Sequence, residues 1–404
     1  MLLCAYAVIR RGVAAWYFEK RSPEALRTAI RWDPNNARYY DALATLQHFY
    51  ADNDNPGDEA KLYGYAVSLN PHNALYWADL GASFDWAGNH NEALWAFEHS
   101  RELFPNSPDI NWKLANFLIR SGRTQEGLHA LRKVLAGGEV PQQYVFALAE
   151  NASEDKKAIL EEMVPQEMPL LLGYLNYQAS AGEMPAAKQA WIKLLALKQP
   201  FELADVFFYL DVLIQSRQTE QLAEAWSALG ERFPEKVGSL RRPPNLLAHG
   251  SFESDVLNGG LDWRVVPIEG ATVSIDSHNA VAGARSLRIE FDGTRNLDYG
   301  NVLQYALVRP NTRYQFSAYL RAEAITTDSG PCFQIFDAYD PGKLLATTEN
   351  VVGTSGWTEQ WLEFKTRADT RLLLIRVARP ASIKFDNKIR GTLWIDEVCL
   401  VAEE

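Results

Sequence analysis

Ala74-Leu75-Tyr76-Trp77-Ala78-Asp79-Leu80-Gly81-Ala82-Ser83-Phe84, followed by Ala93-Leu94-Trp95-Ala96-Phe97 and closed by Pro105, is the stretch whose reading decides the fold. Trp77, Leu80, Phe84 and Phe97 fall at helical spacing, and Gly81 and Ala93 fall where the two helices of a hairpin approach. Pro105 ends the unit 34 residues after Pro71. A helical hairpin of this size cannot bury its own apolar face, so it predicts neighbours stacked on both sides.

Working outward, prolines carry the period. Pro34, Pro71 and Pro105 are 37 and 34 residues apart, and Pro200 and Pro234 are again 34 apart. Aligning Asn36-Ala37 with Asn73-Ala74 places the three surplus residues in Ala51–Asp58, a run of turn formers between two helices. Its Asp and Asn density invites a calcium-loop reading, but the glycine and glutamate positions of an EF-hand do not follow. Leu26 and Ala29 supply an opening unit, and Trp112, Leu114, Ala115 and Leu118 begin the next one. Gly137-Gly138 with Pro141 then interrupts the array, and Gln142 to Met163 reads as a degenerate, shorter helix pair. Regular spacing returns with Leu172, Leu175, Ile192, Val206, Tyr209, Leu222 and Trp226. At the start, Tyr6, Ile9, Val13 and Trp16 to Phe18 read as the apolar face of a first helix. The remnant of a membrane anchor is the alternative for Met1 to Ile9, which is too short to span a bilayer by itself.

These residues resemble the tetratricopeptide repeat family, most specifically over 74–107, and more loosely over 22–73, 108–135 and 165–235. The resemblance implies a right-handed solenoid of about six units over residues 1–240, degenerate around 137–165, that binds protein segments and carries no catalysis of its own. Asn111, Asn116 and Arg120 are polar positions that could line its binding face.

Arg241-Arg242-Pro243-Pro244 ends helical propagation and reads as a linker. Beyond it the apolar period changes from helical to alternating. In Arg313-Tyr314-Gln315-Phe316-Ser317-Ala318-Tyr319-Leu320-Arg321, Tyr314, Phe316, Ala318 and Leu320 share one face and Gln315, Ser317, Tyr319 and Arg321 the other. Further strands read at 271–276, 286–292, 301–308, 332–339, 359–366, 371–379 and 391–401, which argues for a β-sandwich over residues 245–404. The expected class is thus multidomain α + β, an all-α solenoid followed by an all-β sandwich.

Several patterns recur in order across 245–404: Asn245-Leu246-Leu247 with Gly250-Ser251-Phe252-Glu253, Trp263, Gly283 to Ile289, Gln304, Arg309 to Arg321, Gly356-Trp357-Thr358 and Leu393-Trp394-Ile395-Asp396-Glu397-Val398. Together they resemble jelly-roll carbohydrate-binding modules of the galactose-binding-like superfamily. The resemblance implies a structural calcium ion where the first strand meets the last, with Glu253 and Asp396 as its side-chain ligands and carbonyls before Ser286 completing the shell. The alternative is that one of these acids pairs with an arginine such as Arg285. It also implies polysaccharide binding, for which Trp263, Tyr299, Tyr305, Tyr319, Arg321, Trp361 and Arg376 are the candidates. An aromatic ring stacks on a sugar's apolar face while planar donors meet its hydroxyls. Trp357 and Trp394 match packing positions and are set aside.

Composition narrows the function further. The net charge of −11 divides into −6 before residue 244 and −5 after it, so neither half offers the basic field that nucleic acid requires. Cys4, Cys332 and Cys399 lie far apart with no metal-ligand spacing. Cys332 and Cys399 could pair if their strands were neighbours, with two free thiols as the simpler reading. No nucleophile elbow, phosphate loop or zinc helix motif is present, and of the acids only Asp337 and Glu363 on an open sheet face would suggest a glycosidase pair. The expectation is a non-enzymatic binding protein of the bacterial cell envelope, periplasmic or otherwise outside the cytoplasm. The helical array would take a protein partner, and the sandwich a polysaccharide being made, exported or anchored. The alternative is a structural subunit of an assembly with no sugar ligand.

Overall fold

The computed structural model describes residues 2–50, 57–240 and 243–403. Most of the insertion read at 51–58 lies outside these residues, as do Arg241, Arg242 and the side chain of Cys4. Among the described residues, helical hairpins fill the first part of the chain: α1 (Leu2–Phe18) with α2 (Pro23–Trp32), α3 (Ala37–Tyr50) with α4 (Gly57–Leu69), α5 (Ala74–Trp86) with α6 (His90–Leu103), and α7 (Pro108–Arg120) with α8 (Thr124–Gly137). The degenerate pair follows as α9 (Gln142–Ala152) and α10 (Lys156–Ala158), the latter running into a π-helical turn at Ile159–Met163. Then come α11 (Met168–Ser180) with α12 (Met184–Ala196), and α13 (Phe207–Gln215) with α14 (Thr219–Arg232).

Local chemistry sets these ends. Asn73 accepts the Leu75 N–H at the start of α5, and Ser107 accepts that of Ile110 at the start of α7, where Pro108 supplies a preset φ and no wasted donor. Gly138, with φ at 69°, closes α8 in the left-handed conformation. Gly81 meets the Phe97 ring so closely that a Cβ would lie 3.1 Å from it, and Ala93 is fully buried. The small residues therefore let large ones fill the space between hairpins, as the repeat pattern requires. The Trp77 indole is buried too, and its Nε1 donates to the Pro71 carbonyl at 2.8 Å, tying the helix to the turn before it.

The first helix departs from its sequence reading. Its C-terminal part packs, with Phe18 5.2 Å from the Tyr39 ring, but Tyr6, Val8, Ile9 and Trp16 are exposed. No helix among the described residues is long and apolar enough to cross a membrane.

The chain divides into two compact units, Met1–Pro200 and Phe201–Glu404. Helix gives way to strand after Pro243-Pro244, as the sequence indicates, but the packing boundary comes earlier. The reason lies in Gly259 and Gly260. A Cβ on Gly259 would sit 2.3 Å from the Phe207 ring, and one on Gly260 2.2 Å from the Trp226 indole. Arg264 adds an ion pair to Asp211 at 2.5 Å. Helices α13 and α14 thus pack on the sandwich, so the helical span of 1–240 and the sandwich start at 245 do not coincide with the compact units.

The sandwich has two antiparallel sheets. The first contains β1 (Arg264–Val265), β4 (Tyr299–Leu307), β9 (Leu372–Arg379), β6 (Cys332–Asp337) and β7 (Asp340–Thr347), in that spatial order. The second contains β2 (Ala271–Asp276), β3 (Ser286–Asp292), β10 (Arg390–Ala402), β5 (Arg313–Ile325) and β8 (Gly353–Lys365). Phe291, Val302, Phe316, Phe333, Ile375 and Ile395 meet between the sheets with Phe252 and Trp263. Each such buried side chain removes enough apolar area from water to contribute about 1.5–3 kcal/mol. The one strand of any length that the sequence hides is β7, because Asp340-Pro341-Gly342 reads as a turn. Cys332 and Cys399 stand on different sheets as free thiols, and burial pushes both above the usual thiol range.

Candidate functional site

The outer face of the first sheet follows from its register. Arg264, Leu303, Arg376, Gln334 and Thr347 are successive cross-strand partners and form a largely polar row. Tyr305, Leu374, Phe336 and Leu344 form the adjacent row, aromatic and apolar. Between them the Arg376 guanidinium lies 4.8 Å from the Phe336 ring centre and donates twice to Gln334 Oε1, at 3.1 and 2.8 Å. Arg264 approaches the Tyr305 ring at 5.5 Å while holding Asp211 of α13.

Beside Arg376, in the middle of the polar row, is a cavity of about 330 Å³ lined by Val266, Asp298, Tyr299, Gly300, Asn301 and Arg376. A bulge between Tyr299 and Val302 turns the Tyr299 ring toward the core, where it meets Phe291 edge-on at 5.4 Å. Its hydroxyl is buried and has no hydrogen-bond partner, and burial raises its pKa. An apolar platform beside a row of planar donors, with a cavity lined by Asp298, Asn301 and Arg376 next to it, can stack on a sugar ring and bond its hydroxyls, whereas the inward-turned Tyr299 hydroxyl takes no part.

The seven sugar-binding candidates do not form one site. Tyr299 and Arg376 share the cavity, and Tyr305 lies on the same outer face. Tyr319, Arg321 and Trp361 stand on the opposite side of the sandwich, on the outer face of the second sheet. There the expected alternation in β5 holds, and Trp361 is 60% exposed opposite Ser317. Arg321 is engaged already: its Nη1 donates to Asn279 at 2.5 Å and its guanidinium covers Trp394 at 5.0 Å, while the indole donates to Asp276 at 2.7 Å. Trp263 is a correction. It is fully buried between the sheets, 5.6 Å from Phe252, and cannot meet a ligand. Gln334, Phe336 and Leu374 were missed because only strand pairing places them beside Tyr305 and Arg376; the lone polar residue in Cys332-Phe333-Gln334-Ile335-Phe336 was the available signal.

Glu253 and Asp396 meet at the 281–285 loop. Asp396 Oδ2 accepts the N–H groups of Val281 and Ala282 at 2.8 and 3.3 Å, and Oδ1 that of Glu397. Glu253 Oε1 accepts those of Ala284 and Arg285 at 3.0 and 3.2 Å. The Arg285 guanidinium pairs with Asp255 and donates to the Glu253 backbone carbonyl at 3.3 Å, so the expected alternative partner does not pair with the Glu253 carboxylate. Burial raises the Asp396 pKa, the three N–H groups work against that rise, and the nearby Glu253 charge adds to it. Two carboxylates answered only by amide dipoles suit a divalent cation in charge, with further oxygens needed from the backbone. Among the described residues no group of three or more His, Cys, Asp or Glu side chains is placed so that it could hold a metal ion.

Beside this loop, Ser254, His249 and Asp262 stand in the sequence of contacts of a hydrolytic triad: Ser254 Oγ is 3.0 Å from His249 Nε2, and His249 Nδ1 is 3.4 Å from Asp262. The same Nε2 also accepts the Ser254 backbone N–H at 3.1 Å, so its single lone pair holds the turn. His249 and Phe252 both have φ near +50° there, a conformation that needs such bracing. Asp262 in turn accepts the Leu257 N–H at 2.7 Å. The trio is a clamp for the entry loop. Asp337 and Glu363 do not face each other either: Asp337 is buried in the first sheet, bound to Thr370 and the Tyr339 N–H, and Glu363 lies exposed on the second.

No family model matches the chain. Small glutamine-rich tetratricopeptide repeat-containing protein 2 of Mycosarcoma maydis is 30% identical over 77 residues, 19% of this chain and 22% of the relative. The chain therefore spans about a fifth of that relative's length. Among solved structures, MamA protein is 15% identical, covering 49% of this chain and 98% of its own, with a TM-score of 0.32. A CBM4 structure is 15% identical over 39% of this chain and 99% of its own, with a TM-score of 0.30. TmCBM61 in complex with β-1,4-galactotriose is 18% identical with the same coverage and a TM-score of 0.28. The chain itself is an array of helical hairpins followed by a sandwich of two antiparallel sheets.

Proposed function

We propose that this is a non-enzymatic binding protein whose sandwich takes a polysaccharide on the outer face of its first sheet and whose helical array takes a protein partner. The observation that carries the sugar half is the adjacency of the Tyr305 row, the Arg376 row and the cavity lined by Asp298, Asn301 and Arg376. A module that recruits protein beside one that holds polysaccharide suits a role in making, exporting or anchoring surface polysaccharide at the bacterial cell envelope. Calcium bound by Glu253 and Asp396 would brace the 281–285 loop and serve structure rather than chemistry.

The test is a glycan array with the full chain and with Arg376→Ala. Binding by the parent and its loss in the variant, with unchanged melting, supports the reading; no ligand at millimolar concentration removes it. The exposed Tyr6, Val8, Ile9 and Trp16 of α1 favour a second reading, a subunit of a larger assembly. Light scattering distinguishes the two, because assembly gives large particles without any glycan.

A further inference from the structure

Helices α3, α5 and α7 are the first helices of three consecutive hairpins, and α5 packs directly on α7. Each carries a pair of residues seven positions apart, which is nearly two full turns and places both on one face. The pairs are Asp41 and His48, Asp79 and Trp86, and Lys113 and Arg120. Asp79 and Lys113 occupy equivalent positions 34 residues apart, as do Trp86 and Arg120. In α3 the pair is offset by one position from that register, but Asp41 lies near enough to feel the charges of Asp79 and Lys113, and the His48 ring is 5.7 Å from the Trp86 ring, so two rows result: Asp41, Asp79 and Lys113, and, about 10 Å along the helices, His48, Trp86 and Arg120.

The first row is not balanced. Lys113 pairs with Asp79, which leaves Asp41 without a cation, and Asp41 Oδ1 is buried with no hydrogen-bond partner. Burial, then the charge of Asp79, pushes the Asp41 carboxyl up to about 6, and Lys113 offsets this only in part. The second row ends in a cavity of about 660 Å³ lined by Trp86, Asp85, His90, Arg120 and Ser121. There Trp86 is 66% exposed, although the Arg120 and His90 side chains beside it are both held by Asp85. A carboxylate without a cation of its own and an indole met only at its edge by His48 and otherwise exposed are two halves of a recognition surface.

We infer that this face binds an extended peptide segment carrying a lysine or arginine for Asp41 and Asp79, and an apolar side chain about three residues away for Trp86. The spacing follows from geometry: a strand advances about 3.3 Å per residue, so three residues span the roughly 10 Å between the rows. The cation restores the charge balance of the first row, and the indole gains the apolar cover it lacks. The inference rests on the array's reading as a protein-binding module and gives that module its ligand chemistry.

The test is selection of a random peptide library on the full chain, followed by titration of a selected peptide. Enrichment of a basic residue with an apolar one about three positions away is expected. Asp41→Asn should weaken the peptide about tenfold, as should Trp86→Ala, with melting no lower than the parent's because Asp41→Asn removes an unpartnered buried charge and Trp86 is exposed. A lysine-to-glutamine peptide should lose the same factor against the parent and nothing further against Asp41→Asn. Selection of peptides lacking a basic residue, or binding indifferent to Asp41→Asn, overturns the inference and leaves the array a protein-binding module. Failure to select any peptide overturns both.

Discussion

Gly260 lies against the Trp226 indole with φ at 59°, and a Cβ there would be 2.2 Å from the ring. This contact, with the neighbouring one between Gly259 and Phe207, fastens the last helical hairpin to the sandwich. Gly260→Ala should therefore destabilise residues 201–404 by about 1–3 kcal/mol through overpacking and a strained φ. A fragment beginning at Phe201 should melt higher than one beginning at Asn245, and calorimetry of the two checks it. Equal melting temperatures would place the stabilising boundary back at the proline pair.

The hairpin contacts of the array make a parallel prediction. Trp77→Ala should cost about 3–5 kcal/mol in chemical denaturation, since it removes a buried indole and its bond to Pro71. Gly81→Ala should cost less, because Phe97 must yield only a few tenths of an ångström.

The two faces of the sandwich can be told apart by substitution. Tyr305→Ala should lower glycan affinity about tenfold or more, whereas Trp361→Ala on the opposite sheet should leave it unchanged, each measured by titration calorimetry with an array-selected glycan. The reverse result would move the binding face to the second sheet.

Calcium should raise the melting temperature of the full chain, and chelator should lower it. Asp396→Asn should abolish that response and cost about 1–3 kcal/mol, because a carboxylate accepting three backbone N–H groups cannot be replaced by an amide without leaving some unpaired. An unchanged melting temperature in chelator, with the parent, removes calcium from the account.

Asp41 gives a pH prediction. Its folded pKa of about 6 stands above its ordinary value of 3.8, so the folded state holds this proton more tightly than the unfolded one. Its contribution to stability therefore falls as pH rises from about 4 to 6. Asp41→Asn should flatten that part of the stability profile.

Much of this was legible in the chain itself. The repeat of Pro71 and Pro105, with Trp77, Gly81 and Phe97 between them, fixes helical hairpins because stacking needs a large residue against a small one at set spacing. The alternation in Arg313 to Arg321 fixes which side chains of β5 face the core, because strand geometry has period two. Local rules of that kind reach only as far as one element. Asn111 illustrates their limit: read as a polar lining residue, it is fully buried and bonds the Pro105 and Ser107 carbonyls.

Tertiary structure alone decided the rest. Strand order set Tyr305 and Arg376 on one side of the sandwich and Tyr319, Arg321 and Trp361 on the other, and a single bulge turned Tyr299 inward. Trp263 went to the core because the loop that carries it is pulled against β4 by Gln304, which donates to Ala248 and Leu261. Two glycines joined α13 and α14 to the sandwich across a proline pair that reads as a boundary. The physical reason is common to all three: periodicity is a property of one element's backbone, whereas the neighbour a side chain meets depends on pairing, bulges and close approaches between segments far apart in the chain.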